Sequence, residues 1–300
     1  LPRRGNVLRA EAAGRGRMMG KRIERRDIMI KVAVAGCAGR MGSATVRAVC
    51  AADDMELACG IDPHVGAEVD FPVFASVAEA LDGAAFDVLV DFTQPKAVEG
   101  NLRAALPAGV DCVVGTTGLA REVLEELAAL ALTGTCLFYA PNFTTGAVLM
   151  MEFAKAAAPY FPEAEVIEFH HCNKKDAPSG TAVRTAQIVA EARGGRASEA
   201  PGKKTEIAGC EGARGALVDG VPVHSVRSMG YVASQEVVFG SFGQTLSIRH
   251  DSWDRASYMP GVLLGIRSVG GRSGLIVGLE NFMAPSDAPC HNDGASTTVR

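Results

Sequence analysis

Ile30-Lys-Val-Ala-Val-Ala-Gly36-Cys-Ala-Gly39-Arg-Met-Gly42 is the stretch on which the fold turns. Six strand-forming residues run straight into a glycine-rich turn, and a helical period follows at about 42–52. A turn without Cβ clashes, followed by a helix N-terminus with free N–H groups, is the arrangement that admits a pyrophosphate. The spacing is G-x-x-G-x-x-G, with Ala38 in place of the usual middle glycine. Asp62 ends the next strand-like run about twenty residues on, where an acid accepts hydrogen bonds from ribose hydroxyls.

Outward from this unit the pattern repeats. Strand-like runs are expected at Ile30–Ala35, Leu57–Ile61, Phe86–Phe92, Val110–Val114 and Cys136–Tyr139, with helices at about 42–52, 76–82, 95–107 and 120–131. In the last helix Val123, Leu124, Leu127 and Leu130 fall on one face at i, i+3, i+4 spacing. Strand and helix in alternation predict an α/β fold, a Rossmann-type parallel sheet with helices on both faces. Ligands of such sheets bind at the C-terminal strand ends. Asp91-Phe-Thr93, Gly115-Thr116-Thr117-Gly118 and Ala140-Pro141-Asn142-Phe143 stand at successive ends. Their small and hydroxyl residues suit a nicotinamide ring. The candidate coenzyme residues are therefore Gly36, Cys37, Ala38, Gly39, Arg40, Met41, Asp62, Gly115, Thr116, Thr117, Ala140, Pro141, Asn142 and Phe143.

After Pro141 the rhythm changes. A helix at about 144–158, a strand Glu165–Phe169, a helix from Ser179, an irregular Gly-rich stretch 194–220 and runs at Val221–Arg227, Glu236–Phe239 and Gln244–Arg249 predict a second, α+β substrate domain with a mixed sheet. A helix at 256–269, the run Leu275–Val277 and a short helix return to the first sheet. The expected units are 29–140, completed by about 256–283, and 141–255. Residues 1–28 read as a tag or upstream sequence before a natural start at Met29, and 284–300 as a polar tail, both disordered.

Composition narrows the classes. The chain of 300 residues is 48% hydrophobic and 21% charged with a net charge of −4, which gives no reason to expect nucleic acid or membrane as partner. Eight Cys lack C-x-x-C spacing. Several lie inside apolar runs, such as Cys112, and read as buried small hydrophobes, and the set fits a reducing compartment, so a cytoplasmic protein is expected.

The most informative segment is Glu168-Phe-His170-His171-Cys-Asn-Lys174-Lys175-Asp-Ala-Pro178-Ser179-Gly180-Thr181-Ala182. A helix N-terminus with a Thr hydroxyl makes a carboxylate cradle, and cations with a His near neutrality add charge pairing and proton transfer. Adjacent His on a strand point to opposite faces and no third ligand is at hand, so no metal is expected.

Together Gly-Cys-Ala-Gly-Arg-Met-Gly, Val90-Asp-Phe-Thr, Gly-Thr-Thr-Gly, Ala-Pro-Asn-Phe and His-His-x-x-Lys-x-Asp-Ala-Pro-Ser-Gly-Thr-Ala resemble the 4-hydroxy-tetrahydrodipicolinate reductase (dihydrodipicolinate reductase) family. His224-Ser-Val-Arg227, Gln235-Glu-Val-Val-Phe-Gly240 and Arg249-His-Asp-Ser extend the resemblance over about 29–283. It implies reduction of a small cyclic dicarboxylate by NADH or NADPH, with loss of water, in lysine biosynthesis through diaminopimelate. It also implies a homotetramer built through the substrate-domain sheet. His170 is implied as proton donor or acceptor and Lys174 as proton donor, with His171, Gly180 and Thr181 holding substrate. Another two-domain dehydrogenase of the same coenzyme fold, such as an aspartate or homoserine dehydrogenase, and a catalytically idle dinucleotide sensor are the alternatives. The acid Asp62, followed by Pro63 and no cation, predicts dual coenzyme use or a tilt towards NADH.

Overall fold

Short apolar runs separated by amphipathic stretches leave little choice but layered α/β packing, and a computed structural model of the chain has that form. It describes residues 29–64, 69–196 and 212–283. The first half contains β1 (Ile30–Ala35), α1 (Arg40–Cys50), β2 (Met55–Ile61), β3 (Val73–Phe74), α2 (Val77–Gly83), β4 (Val88–Asp91), α3 (Pro95–Ala105), β5 (Asp111–Val114), α4 (Arg121–Ala129) and β6 (Cys136–Tyr139). The second contains α5 (Thr145–Ala157), β7 (Glu163–His170), α6 (Gly180–Ala192), β8 (Ala216–Val218), β9 (Val221–Arg227), β10 (Ala233–Ser241), β11 (Gln244–Ser252), α7 (Met259–Val269) and β12 (Gly274–Val277).

The strands β12-β6-β5-β4-β1-β2-β3 form one seven-stranded sheet, parallel throughout. Its strands are buried on both faces, as the near-continuous Val, Ala and Leu runs require. Val32, Val34, Val90 and Phe138 pack with Val46 and Val49 of α1 and Val262 and Ile266 of α7. On the opposite face Ala33, Leu89, Cys112 and Leu137 meet Val77 of α2, Leu102 of α3 and Leu127 of α4. The strand order reverses between β1 and β4, which places the ligand crevice of a doubly wound sheet beside Gly36 and Phe92.

The order β11-β10-β7-β9-β8 makes a second, five-stranded sheet, in which only β7 and β9 run parallel. Met150 and Ala154 of α5 and Ala182, Ala186 and Val189 of α6 cover one face, against Val166, Val223, Val237 and Phe239. On the other face Ile167, Val226 and Val238 remain partly exposed.

Some expectations fail locally. The strand β3 escapes detection because two residues carry no period, and β8 breaks the loop expected over 194–220. The helix expected at 120–131 ends at Ala129, and Leu130 is 40% exposed, so its apolar stripe rests on Leu124 and Leu127. Cys37, Cys59, Cys112 and Cys136 are buried, whereas Cys50 and Cys172 are exposed. The expectations for 1–28, 284–300, Cys210 and Cys290 lie outside the described residues. No helix among the described residues is long and apolar enough to cross a membrane.

Candidate active site

The first functional surface grows from the turn after β1. Gly36 has φ +77°, and its N–H donates to the Ile61 carbonyl at 2.8 Å. A Cβ on Gly42 would lie 1.9 Å from the Gly36 oxygen, so the helix and turn touch backbone to backbone. Gly39 is the N-cap of α1, with no side-chain cap and no acid in the first turn. That leaves the positive helix end open to an anion. Asp62 accepts from the Ala38 N–H at 3.2 Å and from the His64 N–H at 2.9 Å, tying the end of β2 to the turn.

Beside the turn is an open groove of about 450 Å³, lined by Met41, Phe92, Thr93, Pro95, Gly115, Thr116 and Thr117. Gly115 has no room for a side chain, since a Cβ there would meet the Phe92 ring at 2.1 Å. Asp91, fully buried, accepts from the hydroxyls of Thr93 and Thr116, both at 2.7 Å, and from the Asn101 amide at 2.8 Å. It clamps the ends of β4 and β5 together, and the Thr116 hydroxyl is spent on it. The uncapped helix, close backbone approach and uncharged lining of apolar and threonine side chains fit a dinucleotide.

The candidate residues divide by exposure. Arg40, Thr117 and Pro141 are exposed, and Ala38 and Gly39 are open on the turn. Cys37 is 6% exposed and Ala140 1%; burial, then the charge of Asp62, pushes the Cys37 thiol up. Phe143 is 2% exposed and packs edge-on against Phe92 and Phe138, with ring centroids 5.8 Å apart in each case. Its side chain belongs to the core, leaving Pro141 and Asn142 as the open part of that tetrapeptide. Gly42→Ala is therefore expected to force the turn and helix apart. Overpacking of this kind costs about 1–3 kcal/mol, and NADH affinity should fall about tenfold. Fluorescence titration with NADH checks this; unchanged affinity would mean the turn plays no part in coenzyme binding.

The second surface is a cleft of about 390 Å³ between the halves. Asn142 and Thr144 reach it from the loop after β6, His170 from the end of β7 and Thr181 from the start of α6. Gln235, His250 and Tyr258 close it from β10, β11 and the turn before α7. Ser179 caps α6 by accepting from the Ala182 N–H at 3.2 Å. Gly180 is exposed, and a Cβ there would meet nothing within 4 Å. His171, Lys174 and Gly180 are not among the residues that line the cleft. Lys174 instead pairs with Asp176 at 2.9 Å, which holds the Asp176 carboxyl below its usual range, and His171 and Lys175 are exposed.

Among the residues in and behind this cleft that received no role from the sequence are Glu168, Arg227 and His250. Glu168 is 0% exposed and bridges to Arg227 through two hydrogen bonds, at 2.9 and 2.8 Å. Its carboxylate also contacts His170 Nδ1 and accepts from the Ser179 N–H at 3.3 Å. Burial lowers the pKa of His170, and Glu168 only partly opposes this. Burial also lowers His250. The strand alternation Ala164, Val166, Glu168 held a signal, because it sets a carboxylate at a core-facing position. No group of His, Cys, Asp and Glu among the described residues could hold a metal.

With this geometry in view, comparison with known proteins is direct. Residues 30–143 match the family model "Dihydrodipicolinate reductase, N-terminus" and residues 146–283 match "Dihydrodipicolinate reductase, C-terminus". A 4-hydroxy-tetrahydrodipicolinate reductase of Streptomyces coelicolor is 49% identical over 256 residues, covering 85% of this chain and 98% of that protein. One from Nocardia farcinica is 50% identical over 262 residues, with the same two coverages, 85% and 98%. Among solved structures, a dipicolinate-bound dihydrodipicolinate reductase from Paenisporosarcina sp. TG-14 superposes with a TM-score of 0.76 at 41% identity, covering 85% of this chain and 99% of that one.

Proposed function

The chain belongs to the dihydrodipicolinate reductase family, and on that premise we propose how its own residues carry out the reaction. It is an NAD(P)H-dependent oxidoreductase that reduces 4-hydroxy-tetrahydrodipicolinate to tetrahydrodipicolinate, consuming a proton and releasing water, in lysine biosynthesis via diaminopimelate. The observation that carries the assignment of roles is the shared cleft. It joins Asn142, on the loop leaving the parallel sheet, to His170 and Thr181 of the second sheet and its helix.

The coenzyme, when bound, supplies the hydride. Gly36 to Met41 hold its pyrophosphate at the N-terminus of α1, Asp62 its ribose, and Gly115 to Thr117 with Pro141 and Asn142 its nicotinamide end. Thr181 and the free N–H groups of Gly180 and Thr181 receive one substrate carboxylate, and His171 lends a further donor. The open space over Gly180 supports this, and the dipicolinate bound by the Paenisporosarcina relative supports a small dicarboxylate as the ligand. Loss of water breaks a ring C–H bond, whose proton His170 accepts, and the C–OH bond, whose oxygen leaves as water with a proton from solvent. Lys174 leaves Asp176 and supplies the proton that the carbon beside the reduced one requires, so that one proton is consumed net. The half of the chain over 29–140 with 256–283 serves the coenzyme, and 141–255 serves the substrate. The partly exposed Ile167, Val226 and Val238 support a homotetramer joined through the second sheet, and the cytoplasm is the location that the reading of the cysteines supports. Turnover is tested by loss of reduced-nicotinamide absorbance with substrate generated enzymatically in the cuvette. No turnover by the intact chain would remove the basis of these roles.

Coenzyme use is expected to be dual or tilted towards NADH. Asp62 repels a 2′-phosphate, and Pro63 brings no compensating charge. The ratio of kcat/KM for the two coenzymes decides it. An NADPH preference above about tenfold, or about 1.4 kcal/mol, would assign the reading to a cation such as Arg40.

A further inference from the structure

We propose that Glu168 is a positioning residue that sets the tautomer of His170. This deepens the reading of His170 as a proton acceptor and rests on it.

A carboxylate on the helix-facing side of β7, in line with Ala164 and Val166, is costly to bury. Packing alone would be served by an apolar residue. Glu168 instead contacts His170, which lines the cleft, and braces the loop before α6. Oε1 accepts from Arg227 Nη2 at 2.8 Å and from the N–H of Ser179, the residue that caps α6, at 3.3 Å. Oε2 accepts from Arg227 Nη1 at 2.9 Å and contacts His170 Nδ1. Arg227 Nη2 also donates to the Asp176 carbonyl at 2.7 Å, so the same pair braces the loop that bears Lys174.

The tautomer follows from the donor count. An ionised carboxylate only accepts hydrogen bonds, so the His170 nitrogen facing it must carry the proton. In the neutral ring Nδ1–H then donates to Glu168, and Nε2 keeps its lone pair. Neutral His170 can take a proton at Nε2 but cannot give one. The first proton delivered to the substrate then comes from another group, a role assigned above to Lys174 on the braced loop.

Glu168→Gln makes a sharp test because the amide has only one accepting end. At Oε1 the Ser179 N–H, a backbone donor that cannot reverse, demands an oxygen, and Arg227 Nη2 donates to the same atom. The amide NH2 then occupies the Oε2 position, where Arg227 Nη1 gives up its bond to Glu168 and keeps the one to the Val226 carbonyl, and His170 is the neighbour able to change. Its Nδ1 becomes an acceptor and the proton moves to Nε2. With selective ¹⁵N-histidine labelling of the full-length enzyme, long-range ¹H–¹⁵N correlation should show neutral His170 as the Nδ1–H tautomer in the wild type and as Nε2–H in Glu168→Gln. The same variant should lose about 10²-fold in kcat, with NADH affinity unchanged, and Glu168→Asp should recover part of the loss. Finding Nε2–H in the wild type overturns the proposal, whatever the stability of the variants. So does a folded Glu168→Gln with an unchanged tautomer. His170→Gln, assayed alongside, separates the two ideas. If it keeps kcat, the acceptor role itself fails; if it loses kcat while Glu168→Gln does not, the positioning role alone fails.

Discussion

Lys174→Ala is expected to lower kcat by about 10²–10⁴, and His170→Gln by a similar factor, because general acid–base help is typically worth that much. Neither should change NADH affinity, since the turn after β1 and the groove beside it lie on the other sheet. A fall in kcat and kcat/KM together would mark interactions made in the transition state, whereas a rise in KM alone would mark a binding role. Lys175→Ala is the control for register, as Lys175 is exposed while Lys174 is half-buried against Asp176. It should do far less. The pH profile adds a sign. Burial holds the His170 pKa below its ordinary 6.5. If neutral His170 is the acceptor, activity should be flat through neutrality and fall only as pH drops well below that value. Near-normal kcat in both Lys174→Ala and His170→Gln would assign the proton to water or to another group of the cleft, such as His250 or Tyr258.

Much of this site could be read from local sequence. The turn after β1 declares itself because strand period, glycine spacing and helix period follow within a few residues, and the physics that joins them is local. The block from His170 to Thr181 is local too, and of its candidates His170 and Thr181 line the cleft. What escaped depends on pairing across the chain. Arg227 reaches Glu168 only because β7 and β9 are parallel neighbours, which sets His170 opposite Arg227. No spacing along the chain encodes that register. Gln235, His250 and Tyr258 join the cleft through β10, β11 and the turn before α7. Side-chain direction was the other gap. Thr116 and Phe143 stand at strand ends where ligands gather, but one hydroxyl is spent on Asp91 and one ring completes an aromatic cluster. Position at a strand end puts a backbone near the ligand and leaves the rotamer open.

Arg227→Met should be the most damaging single change to stability, at about 3–5 kcal/mol, the usual cost of leaving a buried charge without its partner. Methionine keeps much of the length and apolar stem of arginine, so lost packing is a minor part. Burial alone pushes the Glu168 carboxyl up, but hydrogen bonds from Arg227, Ser225 and His170 outweigh it and hold it below the ordinary 4.5. A depressed carboxyl pKa gives stability that is present above the unfolded value and lost as pH falls through the folded one. The wild type therefore has the full contribution above about pH 4.5 and sheds it in more acid solution. In Arg227→Met burial is no longer outweighed, and the carboxyl gains its proton at a higher pH. The gap between the two proteins should be widest near neutrality and narrow towards acid. Arg227→Lys should fall between them, since an ammonium restores the charge but cannot bond both oxygens at once. Denaturant unfolding at neutral and acid pH measures all three. A loss below about 1 kcal/mol at neutral pH, the range of exposed ion pairs, would mean that water reaches Glu168 when the guanidinium is removed.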